Sequence, residues 1–116
     1  MSAKDYLRQA RKLQERIDQL EEVRGHVRPG SSAQISDQID KELARLDELR
    51  AEILAVASQV PSNTLATLLI AYYVNGKTWE ETAEAMHYSR EHVVRELHPK
   101  ALAAAETILR RCHKIS

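Results

Sequence analysis

The sparse distribution of helix-breaking residues constrains the fold of this chain more than any other feature of its sequence. In 116 residues there are three glycines and three prolines, and they fall at four places. These residues are Gly25, Pro29, Gly30, Pro61, Gly76 and Pro99. The stretches between them are rich in Ala, Leu, Glu, Arg and Gln, which are the residues most compatible with a helix interior. The sequence therefore predicts an all-α protein.

Two long amphipathic segments in residues 1–60 predict a coiled-coil-like helical hairpin. The first runs from Ser2 to about Arg24, and its apolar residues follow a 4-3-4-3 spacing: Tyr6, Ala10, Leu13, Ile17 and Leu20. The second runs from a Ser36 cap to about Gln59. In it, apolar residues recur every seven positions (Ile39, Leu46, Ile53, Val60), with Leu43, Leu49 and Val56 between them. Such stripes are typical of helices that pack side by side.

The connection between these helices leaves two arrangements open. Residues Gly25 to Ser32 contain a Pro-Gly turn signal, and we expect a mobile loop there that is long enough to reverse the chain. The two helices then form an antiparallel hairpin within one chain. Alternatively, they form an intermolecular coiled coil that makes a homodimer. The arrangements are compatible with each other, and in either case residues 1–60 are predicted to be an association module.

Residues 61–116 predict a second bundle of helices. After Pro61, a helix from Ser62 to about Asn75 carries a wide apolar face, and Asn75-Gly76 is predicted to end it, since Gly adopts the left-handed conformation readily. The next stretch, Thr78 to Leu97, predicts two short helices joined by a tight turn. Thr78 and Glu81 have the spacing of a capping box, and Ser89 is a favourable cap for the second helix.

The start of that second helix predicts a DNA-binding surface. Arg90, Glu91, His92 and Arg95 are long polar side chains at the N-terminal end of a helix, where a recognition helix meets base edges in the major groove. Lys77, Thr78 and Lys100 are expected to contact phosphates rather than bases, and Ser89 completes the predicted set. For Glu91, two alternatives stay open: it accepts from a cytosine, or it points away from DNA. Trp79 is expected to support the helices from a buried or half-buried position.

Charge is balanced overall but uneven along the chain. There are 17 Lys and Arg against 17 Asp and Glu, which argues against a general polyanion binder. From Ser89 onwards there are six Lys and Arg against three Glu, so the C-terminal third is the candidate polyanion surface. Within it, Pro99 is expected either to kink the recognition helix or to begin a new one.

The order of residues between about Leu65 and Leu102 resembles a known family. The matching pieces are Tyr72-Tyr-Val-Asn-Gly-Lys-Thr-Trp-Glu-Glu, Ala83, Met86-His-Tyr-Ser-Arg, Val93 and Lys100-Ala-Leu102. They resemble the helix-turn-helix of region 4 in bacterial sigma factors, and more closely the small phage transcriptional regulators of the RinA/ArpU type. The resemblance covers about a third of the chain. It implies that the helix beginning at Arg90 enters the major groove. Thr82 departs from the family pattern, where Ile or Val is usual, and so does Pro99.

The sequence has few of the features that mark metalloproteins, enzymes or membrane-spanning proteins. The five His and one Cys do not have the spacing of a zinc site, and we predict no metal and no cofactor. There is no glycine-rich phosphate loop and no Cys/His nucleophile arrangement, so no enzymatic activity is predicted. A lone Cys112 fits a reducing cytosol, and no apolar run reaches the length of a membrane span. We therefore expect a cytoplasmic protein, in a bacterial host cell if it is phage-encoded.

The sequence thus predicts a sequence-specific regulator of transcription that binds double-stranded DNA. The resemblance implies activation of phage late genes, with a surface presented to RNA polymerase. One alternative is the DNA-recognition subunit of a packaging machine of the small-terminase kind. Another is a protein-interaction module whose helix-turn-helix does not touch DNA.

Overall fold

The computed structural model describes residues 1–116 as five helices with no strand, which confirms the all-α prediction. The helices α1 (Ala3–Arg24) and α2 (Pro29–Ser58) are the long ones. Helix α3 (Asn63–Leu69) continues into a π turn, Ile70–Val74, and α4 spans Trp79–Met86. Helix α5 has three consecutive segments, namely Arg90–His92, a π turn Val93–Leu97, and His98–Arg111. None of the five combines the length and apolarity needed to cross a membrane.

Helices α1 and α2 lie antiparallel against each other. The Tyr6 hydroxyl donates to Glu52 at 2.6 Å, and Arg50 donates to the side chain of Gln14 at 3.0 Å. Nearer the turn, Arg24 donates to Ser36 at 3.4 Å. As residue numbers rise along α1, the numbers of the α2 residues that face them fall, as in an antiparallel pair. The residues spaced by seven are buried, as expected: Ile39, Leu46 and Ile53 on α2, and Val60 just after its end.

The connection between α1 and α2 is shorter than the sequence predicted. Helix α2 begins at Pro29 after the cap Arg28, so the loop to Ser32 and the cap at Ser36 are wrong predictions. Proline is favoured at the first position of a helix because its fixed φ suits the helix and its missing N–H would have no partner there. The reversal itself takes only residues 25–28. Leu43, expected in the interface, is 39% exposed, and Leu7 is fully buried instead.

One continuous core joins the hairpin to the C-terminal helices. It contains 22 buried side chains, drawn from all five helices and the segments beside them. Helix α1 packs against α2, α5 and the π turn of α3, and α2 packs against α3 and α5. Leu7 and Ile53 of the hairpin and Leu68, Tyr73 and Leu109 of the C-terminal helices are among its largest buried side chains. The N-terminal half of α1 is consequently held beside the helix–turn–helix.

Pro99 neither ends α5 nor starts a separate helix. The backbone stays in the right-handed helical region through Leu97 and His98. The N–H of His98 bonds to the carbonyl of Val93, five residues back. The turn just before the proline therefore contains one residue more than an α-helical turn. A proline ring clashes with the carbonyl four residues earlier, and a π turn at this point relieves such a clash.

Candidate nucleic-acid interface

The turn between α4 and α5 consists of His87, Tyr88 and Ser89. His87 has φ 61° and ψ 36°, a left-handed conformation that closes α4 although the residue is not glycine. The N–H of Tyr88 donates to the carbonyl of Ala83 at 3.1 Å, which completes the turn. A left-handed non-glycine residue costs about 1–2 kcal/mol, so the packing of α4 and α5 must offset that strain.

Side-chain caps define where both helices begin. The Thr78 hydroxyl accepts from the Glu81 N–H at 3.1 Å, and the Glu81 carboxylate accepts from the Thr78 N–H at 2.9 Å. These hydrogen bonds lower the pKa of the Glu81 carboxyl. The Ser89 hydroxyl accepts from the His92 N–H at 3.2 Å. The capping box and the Ser89 cap are thus confirmed. Both hydroxyls hold helix starts, which is a different role from contacting a phosphate.

The four side chains expected to face bases lie together, exposed, on the first two turns of α5. Arg90 Nε is 2.9 Å from a carboxylate oxygen of Glu80, on α4. Arg95 is 3.8 Å from Glu91, one turn earlier on the same helix. The His92 ring lies 5.1 Å from the ring of Tyr88. Glu91 therefore has a cationic neighbour without DNA. Among the expected phosphate contacts, Lys77 is half-buried, whereas Lys100 is exposed further along α5.

An aromatic cluster supports these helices from behind. Trp79 is half-buried and stacks on Tyr72 with ring centroids 3.7 Å apart, in agreement with the supporting role expected for it. Tyr72 meets Tyr73 edge to face at 4.9 Å, and Trp79 meets His98 at 4.6 Å. Edge-to-face and stacked pairs add about 0.5–1.5 kcal/mol each to the burial of their area. The cluster joins α3, α4 and α5.

Arg11 attaches α1 to this cluster. Its guanidinium donates to the carbonyl of Tyr72 at 2.7 Å and to that of Lys77 at 3.0 Å. It also lies 3.9 Å from the centre of the Tyr72 ring. Since Trp79 stacks at similar distance on the same ring, the arginine and the indole occupy opposite faces of Tyr72. Arg11 thereby satisfies carbonyls that α3 and the following turn leave unpaired.

A basic groove beside α5 was not anticipated from the sequence. It has a volume of about 500 Å³ and lies between α1 and the C-terminal helices. We call it the α1 groove; its lining is Lys4, Arg8, Arg11, Lys12 and Glu15 of α1, with Tyr72, Tyr73, Trp79, Val94 and His98. Lys4, Arg8 and Lys12 are exposed, and no carboxylate lies within ion-pair distance of them. Their spacing of four residues is the one sign of this row in the sequence.

His98 forms the deep end of this groove and is neutral. Its Nε2 is 2.7 Å from the Tyr73 hydroxyl. Burial lowers the pKa of His98 to about 4, and the positive charge of Lys4 acts in the same direction. Burial also raises the pKa of the Tyr73 phenol, so that hydroxyl keeps its proton. Tyr73 is therefore the donor and His98 Nε2 the acceptor, which leaves the other ring nitrogen of His98 protonated.

Comparison with known proteins adds no relative. No family model matches the chain, and neither a curated protein nor a solved structure does. The resemblance to phage regulators therefore stays a prediction from the sequence. Within the structure, no three His, Cys, Asp or Glu side chains are grouped so that they could hold a metal ion.

Proposed function

We propose that this protein is a sequence-specific, double-stranded-DNA-binding regulator of transcription. The observation that carries the proposal is the capped helix–turn–helix of α4 and α5, which presents Arg90, Glu91, His92 and Arg95 on the exposed first turns of α5. Arginine donates in a bidentate manner to guanine, and glutamate accepts from cytosine, so this set contains donors and acceptors suited to base edges. As the resemblance implies, the regulated genes are phage late genes, and a further surface contacts RNA polymerase.

The ion pairs on α5 do not oppose this proposal energetically. An exposed pair such as Arg90–Glu80 is worth about 0–1 kcal/mol. A bidentate arginine–guanine contact discriminates by about 1–3 kcal/mol. Exchanging one for the other is favourable or neutral, so the carboxylates hold the arginines in place without preventing contact with a base.

One observation favours a second candidate, a protein-interaction module that does not bind DNA. Residues 77–100 contain four Lys and Arg against five Glu, so the helix–turn–helix alone has little attraction for a polyanion. The two candidates differ in a direct way, because only a DNA-binding protein shows salt-dependent affinity for duplexes.

Self-association through α1 and α2 is part of the proposal in a modified form. The residues spaced by seven on α2 are buried within the chain, which leaves Leu43 and Leu54 as the exposed large apolar residues of that helix. A homodimer of folded chains would use these two side chains. Sedimentation of the wild type and of Leu43→Lys/Leu54→Lys measures it, and a monomeric wild type excludes the dimer.

Selection of bound sequences from a random duplex pool tests the DNA-binding function. The pool is presented to the wild type, to Arg90→Ala, to Arg95→Ala and to Arg110→Ala. Arg110 is a matched control, because it too is exposed and lies 3.7 Å from a glutamate one turn earlier, Glu106. We expect an enriched motif whose preference at one base is lost in Arg90→Ala and in Arg95→Ala, with a cost of about 1–3 kcal/mol, and is kept in Arg110→Ala.

Two outcomes contradict the proposal. If the folded wild type enriches no motif and binds no duplex at low salt, the protein-interaction module is the better account. If a motif appears but survives Arg90→Ala and Arg95→Ala unchanged, another part of the chain contacts the bases. A symmetrical motif would in addition indicate a dimer, because paired half-sites mirror a two-fold axis.

A further inference from the structure

We propose that the α1 groove binds the sugar–phosphate backbone of the same duplex, with Lys4, Arg8 and Lys12 as its phosphate contacts. The proposal rests on the function proposed above and extends its interface to a helix outside the helix–turn–helix. Helix α1 belongs to the hairpin, so the hairpin would hold DNA as well as support the fold.

The three cations are arranged in a row along α1. Residues four apart on a helix lie above one another on one face, and each residue advances the helix by about 1.5 Å. Lys4 and Lys12 are thus separated by about 12 Å along the axis. One DNA strand carries a phosphate for about each 3.4 Å of duplex axis, so the row covers the rise of about three nucleotide steps.

The row is continuous with the surface of α5 that is proposed to face bases. Val94 and His98 of α5 form a wall of the α1 groove. Val94 follows Arg90 by four residues, so this wall residue is a surface neighbour of a proposed base contact. A strand whose bases meet Arg90 and Arg95 therefore has its backbone beside the groove.

The cations of the row are free of the contacts that engage their cationic neighbours in the groove and at the start of α5. Arg11 is engaged by the carbonyls of Tyr72 and Lys77, and Arg90 and Arg95 lie beside carboxylates. Lys4, Arg8 and Lys12 have no carboxylate within ion-pair distance, and Glu15 is the single acid of the groove lining. In a chain of zero net charge, three unpaired cations thus lie side by side next to α5.

The salt dependence of DNA binding tests this inference. Affinity is measured over a series of NaCl concentrations with two probes, a selected duplex and a duplex of unrelated sequence. The groove variant is Lys4→Gln/Arg8→Gln/Lys12→Gln. The control variant, Arg28→Gln/Lys41→Gln/Arg111→Gln, removes the same charge from exposed positions outside the groove and outside any ion pair.

Each phosphate contact contributes about 0.9 to the slope of log K against log [salt]. Losing three should make the slope shallower by about 2–3 and weaken binding at 0.15 M salt by about 100-fold. We expect the same factor for both probes, an unchanged selected motif, and nearly wild-type behaviour in the control. Should the triple variant fail to fold, Arg8→Gln and Lys12→Gln singly are each expected to reduce the slope by about 1.

The outcomes separate this inference from the proposed function. A groove variant that binds like the wild type, while Arg90→Ala alters the motif, overturns the inference and leaves the function standing. Equal losses in the groove and control variants also overturn it, because net charge then explains the effect. A wild type that binds no duplex at low salt overturns both.

Discussion

The start of α5 and the N-terminal half of α1 are neighbouring polar surfaces that differ in whether their cations are paired with carboxylates. On α5, Arg90 and Arg95 each lie within 4 Å of a carboxylate. On α1, Lys4, Arg8 and Lys12 have no such neighbour. Paired arginines are held in defined orientations but attract a polyanion weakly, whereas unpaired cations attract it strongly and without regard to sequence. The difference is the one expected between a surface that selects a base sequence and a surface that holds a backbone.

The largest expected effect is that of Arg11→Ala, which removes the hydrogen bonds from α1 to the carbonyls of Tyr72 and Lys77. Two carbonyls lose a charged donor and Tyr72 loses the cation on one face, so we expect the free energy of unfolding to fall by about 3 kcal/mol. Urea unfolding monitored by the fluorescence of Trp79, the one tryptophan, measures it. Arg8→Ala is the matched control, since Arg8 is exposed and makes none of these contacts. Equal stability of the two variants would show that the contacts of Arg11 do not stabilise the fold.

Thr82→Val is expected to raise the stability of the fold beneath α5 without altering the exposed side chains of α5 or α1. The Thr82 side chain is fully buried in α4 and its hydroxyl oxygen has no hydrogen-bond partner. Replacing an unpartnered buried hydroxyl by a methyl of the same shape should raise the free energy of unfolding by about 1 kcal/mol. The control Thr82→Ser keeps the hydroxyl, loses a methyl and should be less stable than the wild type. A less stable Thr82→Val would mean that the hydroxyl does find a partner in solution.

Glu80→Gln sharpens the comparison because it leaves Arg90 unpaired, like the cations of the α1 row. It frees Arg90 from an exposed pair worth about 0–1 kcal/mol, so DNA affinity should rise by no more than about fivefold. Glu84→Gln removes an exposed carboxylate of α4 that is in no ion pair, and a smaller gain is expected there. Identical gains in the two variants would assign the effect to net charge alone.

His98 lies where the two surfaces meet. Its protonation equilibrium should leave the free energy of unfolding almost unchanged around neutral pH and should lower it increasingly as the pH falls. Its pKa is about 4 in the folded chain, against 6.5 for a solvent-exposed imidazole. Between these values the unfolded chain binds more protons, so this contribution to stability is complete above about pH 6.5 and is lost towards pH 4. Tyr73 of α3 and Lys4 of α1 face the imidazole and both disfavour its charged form.

Urea midpoints at several pH values between 7.5 and 4.5 measure this dependence. Carboxyl groups titrate over part of the same range, so the informative quantity is the difference between the wild type and His98→Gln. The wild type should lose more stability than the variant between pH 6.5 and 4.5. Parallel curves would contradict a neutral, desolvated imidazole.

Local features of this fold could be predicted from the sequence because their causes lie within a few residues. The capping box of Thr78 and Glu81, the Ser89 cap and the left-handed Gly76 each depend on neighbours three or four positions away. The buried stripe of α2 was predictable for a similar reason, since a repeat of seven residues defines one face of a helix.

Features that depend on distant parts of the chain were missed. Pro29 and Ser36 are both acceptable helix starts, and the position at which α1 turns back decides between them. The α1 groove needs Tyr72, Trp79 and His98, which lie far along the chain from α1, and only the packing of the core brings them together. The row of cations was visible in the sequence, but nothing in their spacing indicated what they would face.

The π turn ahead of Pro99 has a consequence for the rotational phase of α5. A π turn carries one residue more than the α-helical turn it replaces, and each residue of an α-helix accounts for about 100° of rotation. Val93–Leu97 lies between the exposed start of α5 and the buried segment His98–Arg111 that anchors it. Rewinding the same five residues as a regular α-helix would leave the extra residue unabsorbed and swing Arg90 and Glu91 by about 100° about the axis. The direction in which this helix presents Arg90 and Glu91 therefore depends on how many residues its backbone places in one turn.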